Sequence, residues 1–265
     1  MRITLLGTGT SHGVPTIDCT ITENATCPRG VCRRALSDPR HRRTRSSALV
    51  EANGCSLLLD TSQDFYQQML ANHVRRIDAV LYTHLHADHV FGLPDIRSYS
   101  HRQGQPVDVY GSGETLESLQ RTFAYAFRQP PYRGAGIPAL TPHRLEWATE
   151  IGGVPVTPLP VRHSGLQGCQ GYRLGDVAYI PDAHVIPDET LARMQGLELL
   201  IINCLRLHPH PAHLCLEESL GYAQAVQPRR CLFTHMTHDI DYEEDSALLP
   251  AWAAFAYDGQ MVELA

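Results

Sequence analysis

The sequence predicts an α/β fold with β-sheets in the core and helices on the outside. Short apolar and β-branched runs recur along the chain and predict strands at residues 3–6, 47–51, 56–59, 79–82, 107–110, 154–159, 177–180, 199–202 and 231–233. Apolar residues at a spacing of three to four predict helices at residues 62–72, 113–127, 188–195 and 216–226. Because strand pairs alternate with strand-helix units, we expect sheet layers covered by helices.

The composition is that of one ordinary globular domain spanning residues 1–265. Hydrophobic residues make up 43% of the chain and charged residues 19%, which is enough to build a sizeable core. No Pro/Ser-rich linker or low-complexity run divides the sequence near its middle. No apolar run is long enough to cross a bilayer, and residues 1–7 lack the features of a signal peptide. A cytoplasmic protein without membrane partners is therefore predicted.

The charged residues exclude several functional classes. All 22 basic residues are Arg, so a P-loop and Schiff-base catalysis, which both require Lys, are excluded. The formal net charge of -6 disfavours nucleic acid as a partner, and the seven Arg in residues 29–45 are interpreted as a solvated basic loop. Fifteen His residues raise the expectation of a metal site, because His is the commonest metal ligand.

The most specific motif follows the predicted strand at residues 79–82. It has the pattern H-x-H-x-D-H, formed by His84, His86, Asp88 and His89. Residues two apart at a strand end project to the same side, so His84 and His86 can bind one metal ion. As the chain turns into a helix, Asp88 and His89 face a neighbouring position and can bind a second ion.

Three later strand ends also carry polar residues, at 162–164, 181–184 and 234–238. In α/β architectures, ligands gather at strand ends because side chains there leave the core while they stay on a rigid support. We therefore expect these three loops to converge on one site with the H-x-H-x-D-H loop.

With these residues in place, the sequence resembles the metallo-β-lactamase superfamily, whose fold is a four-layer αββα sandwich. The resemblance covers nearly the whole chain and implies seven metal ligands, divided between two ions that share Asp182 as a bridge. The ligands of the first ion are His84, His86 and His163. The ligands of the second ion are Asp88, His89 and His235.

The chemistry implied is metal-assisted hydrolysis. Two divalent ions, Zn or Mn, roughly 3.5 to 4 Å apart would hold a bridging hydroxide as the nucleophile and neutralise a phosphoryl oxygen. Asp88 and Asp182 are thus candidate catalytic residues as well as ligands. No Ser nucleophile is required, and the sequence contains no G-x-S-x-G motif. Asp60 matches a family acid and is predicted to support a His ligand, with capping of the following helix as the alternative.

The N-terminal part narrows the resemblance to the phosphoribosyl cyclic phosphodiesterases of the carbon-phosphorus lyase pathway and their relatives. The features shared are the glycine-containing residues 6–15 and a Cys-rich loop at residues 19–32. The resemblance implies a structural zinc bound by Cys19, Cys27, Cys32 and His238. The cysteines lie further apart here, through an insertion around residues 20–26, and three free thiols are the alternative.

The same resemblance implies a catalytic His, matched best by His213. Its role would be to steady the phosphate or to protonate the leaving oxygen. Two neighbours, His208 and His210, leave the assignment open. A homodimer is also implied, and residues 123–138 are interpreted as either a lid or a dimer contact.

The predicted function is hydrolysis of small or cyclic nucleotide or sugar phosphodiesters. His at position 86 disfavours the redox diiron branch of the superfamily, and Asp182 disfavours antibiotic hydrolysis. Three alternatives share the ligands or the fold. They are a glyoxalase II-like thioesterase, a tRNA 3′-processing endoribonuclease and a non-catalytic metal-binding accessory protein.

Overall fold

Two seven-stranded β-sheets pack face to face in the computed structural model, which describes residues 1–21, 27–128 and 136–264. Within these residues the strands, in chain order, are β1 Arg2–Gly7, β2 Ser47–Ala52, β3 Cys55–Leu59, β4 Ala79–Leu81, β5 Val107–Gly111, β6 Leu140–Arg144, β7 Thr149–Ile151, β8 Val154–Pro160, β9 Gln170–Leu174, β10 Val177–Ile180, β11 Leu199–Asn203, β12 Arg230–Thr234, β13 Ala253–Phe255 and β14 Gln260–Glu263. The strand order is β14-β1-β2-β3-β4-β5-β6 in one sheet and β13-β12-β11-β10-β9-β8-β7 in the other.

Short helices lie between the strands. In the described parts of the chain, the α-helices are α1 Ile17–Ile21, α2 Val31–Arg34, α3 Phe65–Ala71, α4 Ala87–Val90, α5 Arg97–Gln103, α6 Gly113–Thr122, α7 Asp188–Arg193 and α8 Leu216–Val226. The helix predicted at residues 113–127 is shorter than expected, because α6 ends at Thr122 and a separate 3₁₀ turn covers Ala124–Phe127. None of the helices described is long and apolar enough to cross a membrane.

The central strands of each sheet are buried on both faces. In β4, Ala79 and Leu81 face the core between the sheets, whereas Val80 faces the outer layer formed with α3, α5 and α6. On the second sheet, Ile202 of β11 packs outward with residues of α8, and Ile201 packs inward. Helices, two sheets and helices therefore form four layers, which confirms the predicted αββα sandwich.

Parallel pairing places the ends of the central strands at one edge of the sandwich. Strands β3 to β6 are parallel to one another, and so are β10 to β13. The loops that follow β4, β8, β10 and β12 all leave from this edge. A hydrogen bond from the Gln170 amide to the Thr83 carbonyl, 3.1 Å long, joins the two sheets there.

Candidate metal centre

The seven ligands expected from the sequence lie together at this edge. They form two groups that share Asp182, and in each group the candidate ligand atoms lie within 4.8 Å of one another. The first group is His84, His86, His163 and Asp182, and the second is Asp88, His89, Asp182 and His235. All are buried except His86, which is half-buried. The loops after β4, β8, β10 and β12 thus converge as predicted.

The first group is built from three imidazole nitrogens. Nδ1 of His86 lies 3.0 Å from Nε2 of His84 and 3.1 Å from Nε2 of His163. Nδ1 of His163 lies 3.0 Å from the carbonyl oxygen of Ala212, which can only accept, so this nitrogen carries the proton. The Nε2 lone pair of neutral His163 therefore faces the other imidazoles, an arrangement that a shared cation stabilises.

The second group surrounds the carboxylate of Asp182. Its Oδ2 lies 2.9 Å from Nε2 of His89, and its Oδ1 lies 2.9 Å from Nε2 of His235. Oδ2 of Asp88 lies 3.3 Å from the same His89 nitrogen. Nevertheless, both oxygens of Asp182 and Nε2 of His89 are buried without a hydrogen-bond partner among the described residues. Buried charged groups are normally paired, hydrogen-bonded or bound to a metal, so this donor set fits two divalent cations.

Asp60 lies behind His89, on the side of the imidazole ring that faces away from the candidate centre. Its Oδ2 accepts a hydrogen bond from Nδ1 of His89 at 2.7 Å and another from the Thr83 hydroxyl at 2.8 Å. The Thr83 oxygen in turn lies 3.0 Å from Nδ1 of His84. Asp60 thus contacts one candidate ligand directly and a second through Thr83, and the residue immediately before α3 is Asp64. The backbone of Asp60 has a φ of 61°, a strained conformation for a non-glycine residue.

Burial and the facing charges set the protonation states in the metal-free protein. Burial lowers the pKa of His163 to about 4 and holds that of His84 well below its usual value, so both rings are neutral and free to bind a cation. Burial raises the pKa of Asp182, but the facing His235, His213 and His89 together outweigh it, and the net pKa is well below the usual value. Burial lowers the pKa of His89, but Asp88 and Asp60 outweigh it and raise the net value well above normal. A cation at His89 must therefore displace a proton.

Of the three candidate catalytic histidines, His213 is the one beside the centre. Its Nδ1 lies 3.2 Å from Oδ1 of Asp182, without hydrogen-bond geometry, and its ring stacks on His235 with centroids 5.1 Å apart. The side chain is 16% exposed, so it can reach both the centre and a substrate. His210 accepts the Ala212 amide proton, and His208 is exposed.

The expected structural zinc ligands also meet. Cys19, Cys27, Cys32 and His238 form a third group with ligand atoms within 4.8 Å of one another. Nδ1 of His238 lies 3.3 Å from Sγ of Cys32 and 3.6 Å from Sγ of Cys19. Sγ of Cys27 accepts a hydrogen bond from the backbone amide of Cys32 at 3.4 Å. Residues 22–26 of the predicted insertion lie outside the described residues, as do residues 129–135 of the predicted lid or dimer contact.

The interpretation of residues 29–45 as a solvated basic loop is wrong for four of the seven Arg. Arg43 is buried and donates to the carbonyl oxygens of Thr237 and Ile240, on either side of His238. The other three pair with acidic side chains. They are Arg29 with Asp245 and Glu244, Arg34 with Asp241, and Arg45 with Asp64. The segment therefore binds to its own chain, through acids located up to about two hundred residues further along the sequence.

Comparisons with known proteins agree with this geometry. Residues 56–236 match the model of the β-lactamase superfamily domain. A crystal structure described as a new diphosphatase from the PhnP family is 36% identical, with a TM-score of 0.87 and coverage of 100% of this chain and 98% of that one. An octanoyltransferase of Porphyromonas gingivalis is 33% identical over 98% of this chain and 51% of its own length. A ribonuclease Z of Bradyrhizobium sp. is 36% identical over 34% of this chain and 31% of its own length. The chain thus spans about half or less of these two curated relatives.

Proposed function

This chain belongs to the β-lactamase superfamily, as its sequence predicts, and from that premise we propose that it is a dinuclear metal-dependent hydrolase. Its reaction is cleavage of small or cyclic nucleotide or sugar phosphodiesters. The main support is Asp182, whose two buried carboxylate oxygens lie between two groups of nitrogen and oxygen ligands. A carboxylate in this position is suited to bridge two cations, and paired cations are suited to phosphodiester cleavage.

The proposed ligands divide into two sets. His84, His86 and His163 would hold one divalent ion, Asp88, His89 and His235 would hold the other, and Asp182 would be shared by both. When bound, such a pair activates water and neutralises charge on the phosphoryl group. Imidazole and carboxylate ligands accept both zinc and manganese, so metal availability decides which is used.

We assign a separate, structural zinc to the cluster of Cys19, Cys27, Cys32 and His238. Three thiols and one imidazole are a complete tetrahedral set, without an open position for a substrate. His238 lies three residues after the ligand His235, so this zinc would stabilise the loop that carries both.

His213 is the proposed proton donor to the leaving oxygen. Asp182 lies beside its Nδ1, and the ring is partly exposed at the side of the centre. An alternative role for the same side chain is to steady a phosphate oxygen. The two roles differ in how they depend on the leaving group, because only proton donation becomes unnecessary when the leaving group is already a weak base.

Replacing His213 by alanine is expected to lower kcat by about 10² to 10⁴ for a diester with an alkyl alcohol leaving group. For a p-nitrophenyl leaving group the loss should be much smaller, since that oxygen leaves without a proton. The measurement is kcat for both substrates, with metal content determined in parallel. His208→Ala, a change at an exposed His of the same loop, is the control and should retain wild-type kcat. An equal loss for both leaving groups would contradict proton donation.

A specific observation favours diphosphate cleavage as a second candidate. The PhnP-family structure with 36% identity over the whole chain is described as a diphosphatase. Diphosphates and phosphodiesters both present an anionic phosphoryl centre to paired cations, so the metal ligands alone do not separate the two reactions.

The test compares four substrates under one metal-replete condition: a cyclic phosphodiester, a linear aryl phosphodiester, a nucleotide-containing diphosphate diester and a glutathione thioester. We expect turnover of a phosphodiester, loss of that turnover after metal removal, and its return when zinc or manganese is restored. Preferential turnover of the diphosphate would move the protein to the second candidate. Turnover of the thioester alone, or of no substrate by a metal-loaded protein, would contradict both.

A further inference from the structure

We propose that Ser46 is a positioning residue that fixes the His235 imidazole and thereby sets the metal affinity of the group formed by Asp88, His89, Asp182 and His235. This inference rests on the proposed dinuclear centre. The Ser46 hydroxyl oxygen lies 3.1 Å from Nδ1 of His235, the nitrogen that faces away from the centre. Ser46 lies just before β2 and is fully buried.

The hydroxyl of Ser46 is held by a second contact. It donates to the Gly9 carbonyl oxygen at 3.0 Å, and the Ser46 amide donates to the same oxygen, also at 3.0 Å. A hydroxyl has one proton, so with that proton directed at Gly9 the oxygen is left to accept from Nδ1–H of His235. This tautomer leaves the Nε2 lone pair facing Asp182, 2.9 Å from Oδ1.

The other imidazole rings that turn Nε2 toward the centre also have an oxygen beside Nδ1. His84, His89 and His163 each have Nδ1 within hydrogen-bond distance of a protein oxygen, supplied by Thr83, Asp60 and Ala212 respectively. Outer hydrogen bonds of this kind fix the tautomer and the ring orientation of metal-binding histidines. Ser46 is the corresponding partner of His235.

The backbone around His235 makes this support necessary. His235 has a φ of 61°, which a non-glycine residue adopts only when its surroundings hold it there. The next residue, Met236, is fixed by hydrogen bonds to Thr8 and Thr10 of the N-terminal loop. A Cβ at Gly9 would lie 2.9 Å from the Arg43 carbonyl oxygen, so the close approach that brings Gly9 beside Ser46 requires glycine. The backbone is thus fixed on both sides, and Ser46 fixes the ring.

The test is calorimetric titration of the metal-free full chain with Mn²⁺, which prefers carboxylate to thiolate ligands and so reports on the His/Asp centre rather than the Cys cluster. In Ser46→Ala, we expect one of the two binding steps to weaken about 10- to 100-fold. Ser46→Thr retains a hydroxyl and should recover most of the loss. Ser219→Ala is the matched control, because Ser219 is equally buried and its hydroxyl, among the described residues, lies within hydrogen-bond distance only of backbone carbonyl oxygens, those of Asn203 and Cys215; it should bind both ions as the wild type does.

The outcomes separate the two proposals. If Ser46→Ala binds both ions within twofold of wild type, the inference is wrong and the dinuclear centre stands. If Ser46→Ala and Ser46→Thr both lose Mn²⁺ affinity by the same factor while Ser219→Ala loses none, the missing hydroxyl does not explain the loss of affinity, and the inference is also wrong. If the wild-type protein does not bind two Mn²⁺ ions, the dinuclear centre itself fails.

Discussion

Replacing Asp182 by asparagine is expected to lower kcat/KM for a phosphodiester by at least about 10³-fold. This exceeds the 10- to 100-fold effect typical of a residue that only supports a ligand. Asparagine has nearly the same shape but no charge, and its NH₂ group would point at imidazole nitrogens that lie 2.9 Å from the carboxylate. The loss combines a missing bridging ligand with a missing negative charge at a buried centre.

Metal content separates these two effects. If Asp182 bridges the ions, the asparagine variant should bind fewer than two Mn²⁺ ions per chain by elemental analysis after gel filtration. The matched control is Asp176→Asn, because Asp176 pairs with Arg173 at the surface and its side chain is 66% exposed. That variant should retain kcat/KM within about twofold, since exposed ion pairs contribute little. Retention of more than a tenth of wild-type activity by Asp182→Asn would contradict a bridging role.

The sequence predicted the central strands because both of their faces are buried. Such strands read as continuous apolar runs, as in β10 and β11, whose residues are all buried. The strands not predicted are β6, β7, β9, β13 and β14. In β6, the exposed Pro142 and Arg144 and the half-buried His143 obscure the pattern, because an edge strand has fewer buried positions to reveal its period.

The sequence predicted the part of the candidate site that consists of metal-binding side chains, but not the residues that hold those side chains in place. The H-x-H-x-D-H motif and three later strand ends identified seven residues that the structure brings together. The contact of Ala212 with His163 could not be predicted, because a backbone carbonyl is present at every position. Ser46 and Thr83 are common residues whose role depends on a neighbour brought close by folding. Distances between loops are set by the two sheets, and no local pattern encodes them.

The Arg-rich segment shows that the partners of charged side chains also could not be predicted from the sequence. Seven Arg and a single acid, Asp38, within residues 29–45 suggest a solvated basic surface. The acidic partners of Arg29, Arg34 and Arg45 lie in the segment of residues 239–245 and at Asp64, so only the fold reveals the pairing. Arg43 has backbone carbonyls as partners, which leave no trace in the sequence at all.

The second large effect is expected at the Cys cluster, where Cys32→Ser should remove the structural zinc and lower Tm. A zinc ion at a thousand times its Kd stabilises the folded chain by about 4 kcal/mol. For a protein of this size, that corresponds to roughly 8 to 16 °C in Tm. The measurement is Tm by calorimetry with and without a chelator. The chelator also removes ions from the His/Asp centre, so it should lower the Tm of both proteins, but by less in Cys32→Ser, which has no structural zinc to lose.

Proton release gives an independent signature of the same site. Burial raises the pKa of Cys32 to about 12, above its usual value, so the thiol keeps its proton at neutral pH and zinc must displace it. Zinc affinity should therefore fall as the pH is lowered, and binding should release protons into the buffer. Cys55→Ser is the control, because Cys55 is also buried but belongs to the core between the sheets, and this variant should keep its zinc and its chelator-dependent Tm shift. A Cys32→Ser protein that retains the same zinc and the same chelator response would show that the three thiols and His238 do not bind it.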